Sequence, residues 1–149
     1  MAIVERLSDS GASEAALQQL ENELGSRLPD DYRRFLAETN GGRPDPARFA
    51  MQTSNGANES VVDWFLTLEP QEDLYTVPEY RNMYADRVPQ GLLPVACDPF
   101  GNLLLLDLGA KSQGCVYFWD HEQESMEEPT WGNISTVAES FQNFYDSLT

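Results

Sequence analysis

Residues 93–119 read LPVACDPFGNLLLLDLGAKSQGCVYFW, and this stretch decides the fold class. Three apolar runs, residues 93–97, 103–108 and 115–119, are separated by Asp98-Pro99-Phe100-Gly101-Asn102 and by residues 109–114. Short apolar runs divided by Gly and polar residues are the mark of hairpins, so the stretch predicts an antiparallel meander. Leu103-Leu104-Leu105-Leu106 lacks the polar alternation of a half-exposed strand, which predicts a central strand covered on both faces.

Upstream of the meander the periodicity changes. Over residues 13–24, Leu17, Leu20 and Leu24 recur at helical spacing, with Ser13 suited to the N-cap and Gly25 to a left-handed C-cap. A second helix is predicted from Pro29, taken as its first helical residue, to about Thr39, with Tyr32, Phe35 and Leu36 as its apolar stripe. Asn40, Gly41, Gly42 and Pro44 end it. Two strands, residues 49–53 and 61–68, are predicted to form a hairpin across the polar segment 54–60, which contains Asn55-Gly56. Pro70 should break the second strand. Leu74, Tyr75, Tyr80, Met83 and Tyr84 suggest helical or irregular structure split at Pro78. Downstream, Val137, Phe141, Phe144, Tyr145 and Leu148 form a helical stripe, with Thr136 and Glu139 spaced as a capping box. The expected architecture is α+β: a mostly antiparallel sheet of about five to six strands, with N-terminal and C-terminal helices packed on one face. Residues 1–149 read as one domain, with 1–12 loosely ordered.

Composition narrows the function. The chain has 149 residues, 41% hydrophobic and 11% aromatic, enough to build a core. Its 25 acids against 9 bases give a formal charge of −16. The imbalance is concentrated: residues 1–58 hold 9 acids and 6 bases, residues 59–149 hold 16 acids and 3 bases. Such a field repels phosphate backbones and anionic lipid, so neither nucleic acid nor a membrane is an expected partner. It speeds encounter with a basic protein. No apolar run approaches the ~20 residues of a membrane span and no secretion signal is visible, so a cytoplasmic location is expected, with both cysteines as thiols.

Chemistry-bearing residues are few. His121 is the one histidine, and Cys97 and Cys115 lack the spacing of a zinc site, so no metal and no cofactor is expected. The 98–102 turn has no Lys or Ser/Thr at phosphate-loop spacing. A thiol enzyme pairing Cys97 or Cys115 with His121 stays open, because catalytic partners meet in space and not along the chain. A different signal is the junction of Tyr117-Phe118-Trp119 with Asp120, Glu122, Glu124, Glu127 and Glu128, five acids in nine residues. Those aromatics read either as core or as anchors of an interface rimmed by charge.

Leu28-Pro29-Asp30-Asp31-Tyr32-Arg33-Arg34-Phe35-Leu36 with Asn40-Gly41-Gly42-Arg43-Pro44 resembles the N-terminal signature of the SUKH superfamily, the SMI/KNR-type domain. Leu93-Pro94-Val95-Ala96-Cys97-Asp98, Gly101-Asn102 and Val116-Tyr117-Phe118-Trp119-Asp120-His121-Glu122 resemble its later motifs in the same order, and Ser140-Phe141 with Phe144 its last helix. The resemblance implies a non-catalytic α+β domain, used in bacteria as immunity proteins that neutralise toxins, many of them nucleases, by stoichiometric binding. It implies a partner-binding surface at Trp119, Asp120, His121 and Glu122, extended here to Glu124, Trp64 and Asp98. The expected partner is a basic protein toxin, and a regulatory scaffold binding self proteins is the alternative. Residues 54–60 and 71–88 depart from the family pattern and are where partner choice could be encoded. Oligomeric state is unreadable from the sequence.

Overall fold

The computed structural model describes residues 2–6, 10–53, 55–69 and 75–149. The element order is β1 (Ala2–Glu5), α1 (Glu14–Leu24), α2 (Asp30–Glu38), β2 (Arg43–Asp45), β3 (Arg48–Thr53), β4 (Gly56–Val61), β5 (Trp64–Phe65), α3 (Val77–Met83), β6 (Leu92–Cys97), β7 (Leu103–Asp107), β8 (Val116–Trp119), β9 (Ile134–Ala138) and α4 (Phe141–Ser147). The fold is mixed α+β, as the sequence predicts. Its main sheet is antiparallel in the order β5-β6-β7-β8-β9, so the meander is its centre and β7 its middle strand. Every residue of β7 is buried.

Pairing register assigns side chains to faces, because residues directly opposite in an antiparallel sheet project to the same side. Phe65, Ala96, Leu104 and Phe118 form one transverse row. Their face meets α2 and α4: Phe65 packs on Phe141 at 5.8 Å, Phe35 on Phe141 at 4.9 Å, and Phe118 on Phe49 of β3 at 6.0 Å between ring centres. Trp64, Cys97, Leu103 and Trp119 form the neighbouring row on the opposite face. There Tyr84, the C-cap of α3, meets Trp119 edge-on at 5.6 Å. The N-terminal helix α2 and the C-terminal helix α4 thus share one face as expected, and α3, which the sequence left undecided, adds cover on the other. A row containing two tryptophans needs its own cover, and Tyr75 before α3 and Tyr84 after it supply it.

Helix ends follow the sequence closely at α1, where Ser13 accepts from the Ala16 amide and Gly25 adopts φ 67°. Pro29 is not helical but the N-cap of α2, at ψ 140°. Pro78 opens α3 rather than splitting a helix: Thr76 caps it by accepting from the Glu79 amide, and a proline in the first turn forfeits no helical hydrogen bond. After α2, Gly41 (φ 78°) runs so close to β5 that a Cβ would lie 2.6 Å from the Phe65 and Leu66 carbonyl oxygens. Asn40, 1% exposed, accepts from the Leu68 and Glu69 amides, which locks this loop to the segment after β5.

Two strands lie elsewhere than expected. The polar segment is itself β4, pairing Gly56–Val61 with β3, whereas Trp64–Phe65 belongs to the main sheet. Thr136 and Val137 lie in β9, paired to β8, so the capping box is absent there; Ser140 caps α4 instead, accepting from the Asn143 amide. Ser54, Pro70 and Leu74 lie outside the described residues.

Candidate functional site

The candidate residues converge on one end of the meander. Asp98 follows β6, Asp120 to Glu124 follow β8, and Trp64 and Trp119 lie in the transverse row beside them. The 98–102 turn is organised by Asp98, a residue 6% exposed. Its Oδ1 accepts from the Phe100 and Asn102 amides at 2.9 and 2.8 Å. Its Oδ2 accepts from Ser60 Oγ and Asn102 Nδ2, both at 2.9 Å. Asn102 Oδ1 in turn accepts from the His121 amide at 3.0 Å, so the turn braces the segment after β8. Gly101 (φ 92°) allows this approach, since a Cβ there would sit 3.1 Å from His121 Nε2.

Asp120 caps a single 3-10 turn, His121–Gln123, by accepting from the Glu122 amide at 3.0 Å. Asp120 and Asn133 close the base of the following loop: the Asp120 amide donates to the Asn133 carbonyl at 3.0 Å, and Asn133 Nδ2 donates to the Asp120 carbonyl at 2.9 Å. Glu124 binds Arg87 through two contacts, 2.6 and 3.2 Å. The Arg87 guanidinium lies 4.7 Å from the Tyr84 ring centre and 5.3 Å from that of Trp119. The Glu124 hydrogen bonds hold Arg87 above the ordinary arginine range, and the ion pair ties the acidic loop to the segment after α3.

Exposure then separates brace from surface. Trp119 is 0% and Trp64 4% exposed; Trp64 stacks on Tyr75 at 5.2 Å beneath the Arg43 guanidinium. Asp98 is buried, while Asp120, His121 and Glu124 are half-buried and only Glu122 is fully exposed. The acidic surface comes from Glu122, Glu127 and Glu128, which form no ion pair among the described residues. On the same loop Met126 is 96% and Trp131 52% exposed, and Phe100 protrudes from the neighbouring turn. Trp131 rests edge-on against Tyr117 at 5.3 Å, and Tyr117 donates to buried Asp107 at 2.9 Å. Sequence reasoning passed over Met126, Trp131 and Arg87. Met126 and Trp131 had a readable signal, being large apolar residues inside a polar loop and on no periodic stripe; Arg87 had none.

Thiol chemistry finds little support in this geometry. Burial pushes the Cys97 thiol up to about 11, away from the thiolate a nucleophile needs. Cys115 precedes β8 and His121 follows it, so roughly 15–20 Å of extended chain separates them. Among the described residues no three His, Cys, Asp or Glu side chains gather as a metal site, and no helix is long and apolar enough to cross a membrane.

Helices on both faces of an antiparallel meander, with a capped acidic loop at one end, define a small α+β domain of the SUKH type. Residues 11–147 match the SMI1 / KNR4 family (SUKH-1), and the chain belongs to that family. It is similar to the SPbeta prophage-derived uncharacterized protein YokK of Bacillus subtilis (strain 168), 24% identical across 89% of this chain and 72% of that protein. Domains of this family are generally non-catalytic and commonly serve as immunity proteins.

Proposed function

We propose that this protein is a cytoplasmic, single-domain immunity protein that neutralises a basic protein toxin, such as a nuclease, by stoichiometric binding and without catalysis. The observation that carries the reading is the 120–133 loop. It presents Glu122, Glu127 and Glu128, which form no ion pair among the described residues, on the same loop as exposed Met126 and Trp131, and its base is held by Asp120, Asn133 and the Arg87–Glu124 pair. Apolar anchors within a charged rim match the division of labour in protein interfaces, where the centre sets the lifetime of the complex and the rim its encounter rate. A nuclease holds phosphates in a basic groove, and a carboxylate-rich loop competes for that groove by charge. Trp119 and Trp64 contribute from beneath, as packing for the loop and for Arg43. Asp98, Asp120, His121 and Glu124 set the loop's shape.

The test is co-expression with the product of the neighbouring gene. Survival of cells that this product otherwise kills, together with a one-to-one complex by light scattering, is the expected result. Continued killing with both proteins soluble and unassociated would overturn the proposal.

A further inference from the structure

Between the tip of the β3–β4 hairpin and the base of the acidic loop lies a recess of about 240 Å³. We infer that it receives one arginine side chain of the protein partner, an inference that rests on the binding role proposed above. The size excludes a cofactor, since small-molecule sites occupy roughly 300–1,000 Å³. The sign of the charge excludes a phosphate or carboxylate ligand, because Asp120 is the one charged residue lining the recess.

Two acceptors are left over there. Asp120 Oδ1 is engaged by the Glu122 amide, and Oδ2 accepts nothing among the described residues. Asn133 is 6% exposed, with Nδ2 committed to the Asp120 carbonyl at 2.9 Å. That bond fixes the amide, and its Oδ1 also accepts nothing among the described residues. Both oxygens reach solvent and are open to a donor from outside, and a free carboxylate oxygen beside an amide oxygen in one recess favours a cation with several N–H groups. Phe118 and Ile134 line the same recess and give the aliphatic stem an apolar wall. A guanidinium offers five donors in a planar fork and can engage both oxygens at once, whereas an ammonium is a compact, strongly hydrated point charge. Thr53, Asn55 and Asn58 close the recess from the hairpin, the two asparagines inside the segment that departs from the family pattern.

The probe is Nα-acetyl-arginine methylamide, titrated into the ¹⁵N-labelled full chain, with the citrulline and lysine analogues alongside. Saturable shifts of the Asn133 and Asn58 side-chain amides are expected with arginine, none with citrulline, and at least threefold weaker binding with lysine. Asp120→Asn should weaken arginine binding about tenfold. Because Asp120 also caps the 3-10 turn, a second variant is needed: Asn58→Leu narrows the mouth without touching that cap and should weaken binding by as much. Shifts spread over Glu122, Glu127 and Glu128 and indifferent to both variants would overturn the inference, as would no binding. Either result leaves co-expression rescue standing on the acidic rim alone. Arginine bound in the recess without rescue would instead refute the immunity role.

Discussion

Replacing Asp98 with alanine separates a structural carboxylate from a contact residue. The side chain accepts four hydrogen bonds at 2.8–2.9 Å, two from backbone amides of its own turn, one from Asn102 Nδ2 and one from Ser60 Oγ on β4. Hydrogen bonds to a charged acceptor contribute about 1.5–3 kcal/mol each, but they are not additive here. Phe100 is 66% exposed, so its amide can turn to water, and the alanine variant no longer buries a charge. The donors of Asn102 and Ser60 are only half-exposed and bear most of the loss. About 3 kcal/mol is expected for Asp98→Ala, against the roughly 5–15 kcal/mol that holds a typical domain together. Asp98→Asn keeps an oxygen for the two amides but turns an NH₂ toward Asn102 Nδ2, so about 1–2 kcal/mol is expected. Urea denaturation followed by tryptophan fluorescence reads both, because Trp64 and Trp119 are buried beside the turn. With a slope of about 1–3 kcal/mol/M, the alanine variant should lose about 1–3 M in midpoint. An alanine variant within ~0.5 kcal/mol of the parent that nevertheless fails to bind the partner would refute the bracing role and make Asp98 a contact residue.

Trp119→Ala should cost about 3–5 kcal/mol as a large core deletion, whereas Trp131→Ala should change stability by about 1 kcal/mol and chiefly speed dissociation of the partner complex. Equal midpoints for the two variants would undo that division. Changing Glu122, Glu127 and Glu128 together to Gln should slow association and flatten its salt dependence in stopped-flow measurements; an unchanged on-rate at low salt would exclude steering. Cys97 yields a pH prediction. Its thiol is raised from 9.0 to about 11 by burial, so between those values the unfolded chain has released a proton that the folded chain keeps. Stability is then full below pH 9 and falls as pH rises toward 11, by about 1.4 kcal/mol per unit of pKa difference. At pH 8 iodoacetamide should alkylate native Cys97 about a hundredfold more slowly than the unfolded chain; equal rates would show that the thiol is not buried.

The meander was legible because two independent signals agree there, an uninterrupted Leu103–Leu106 run and a Gly-containing polar turn on each side. Where only one signal is present, the reading slips. Val137, Phe141 and Phe144 keep helical spacing across the β9–α4 junction, so a strand paired to β8 carries the phase of the helix after it. Gly56–Val61 has no apolar alternation at all, because β4 is mostly exposed and is held by the backbone pairing of β3.

The site was legible as a place but not as a surface, for a related reason. Adjacency in the chain is not adjacency in exposure: Trp119 and Glu122 are three residues apart, yet the strand carries one into the core and the 3-10 turn carries the other into water. A count of acids likewise overstates the field, because Asp98, Asp107 and Glu21 are spent inside as hydrogen-bond acceptors. The charges that remain for a partner are those with no turn, cap or ion pair to serve. In the 120–133 loop those are Glu122, Glu127 and Glu128, and the tryptophan exposed beside them is accordingly not the one that ends the strand but Trp131, which rests half-exposed on Tyr117.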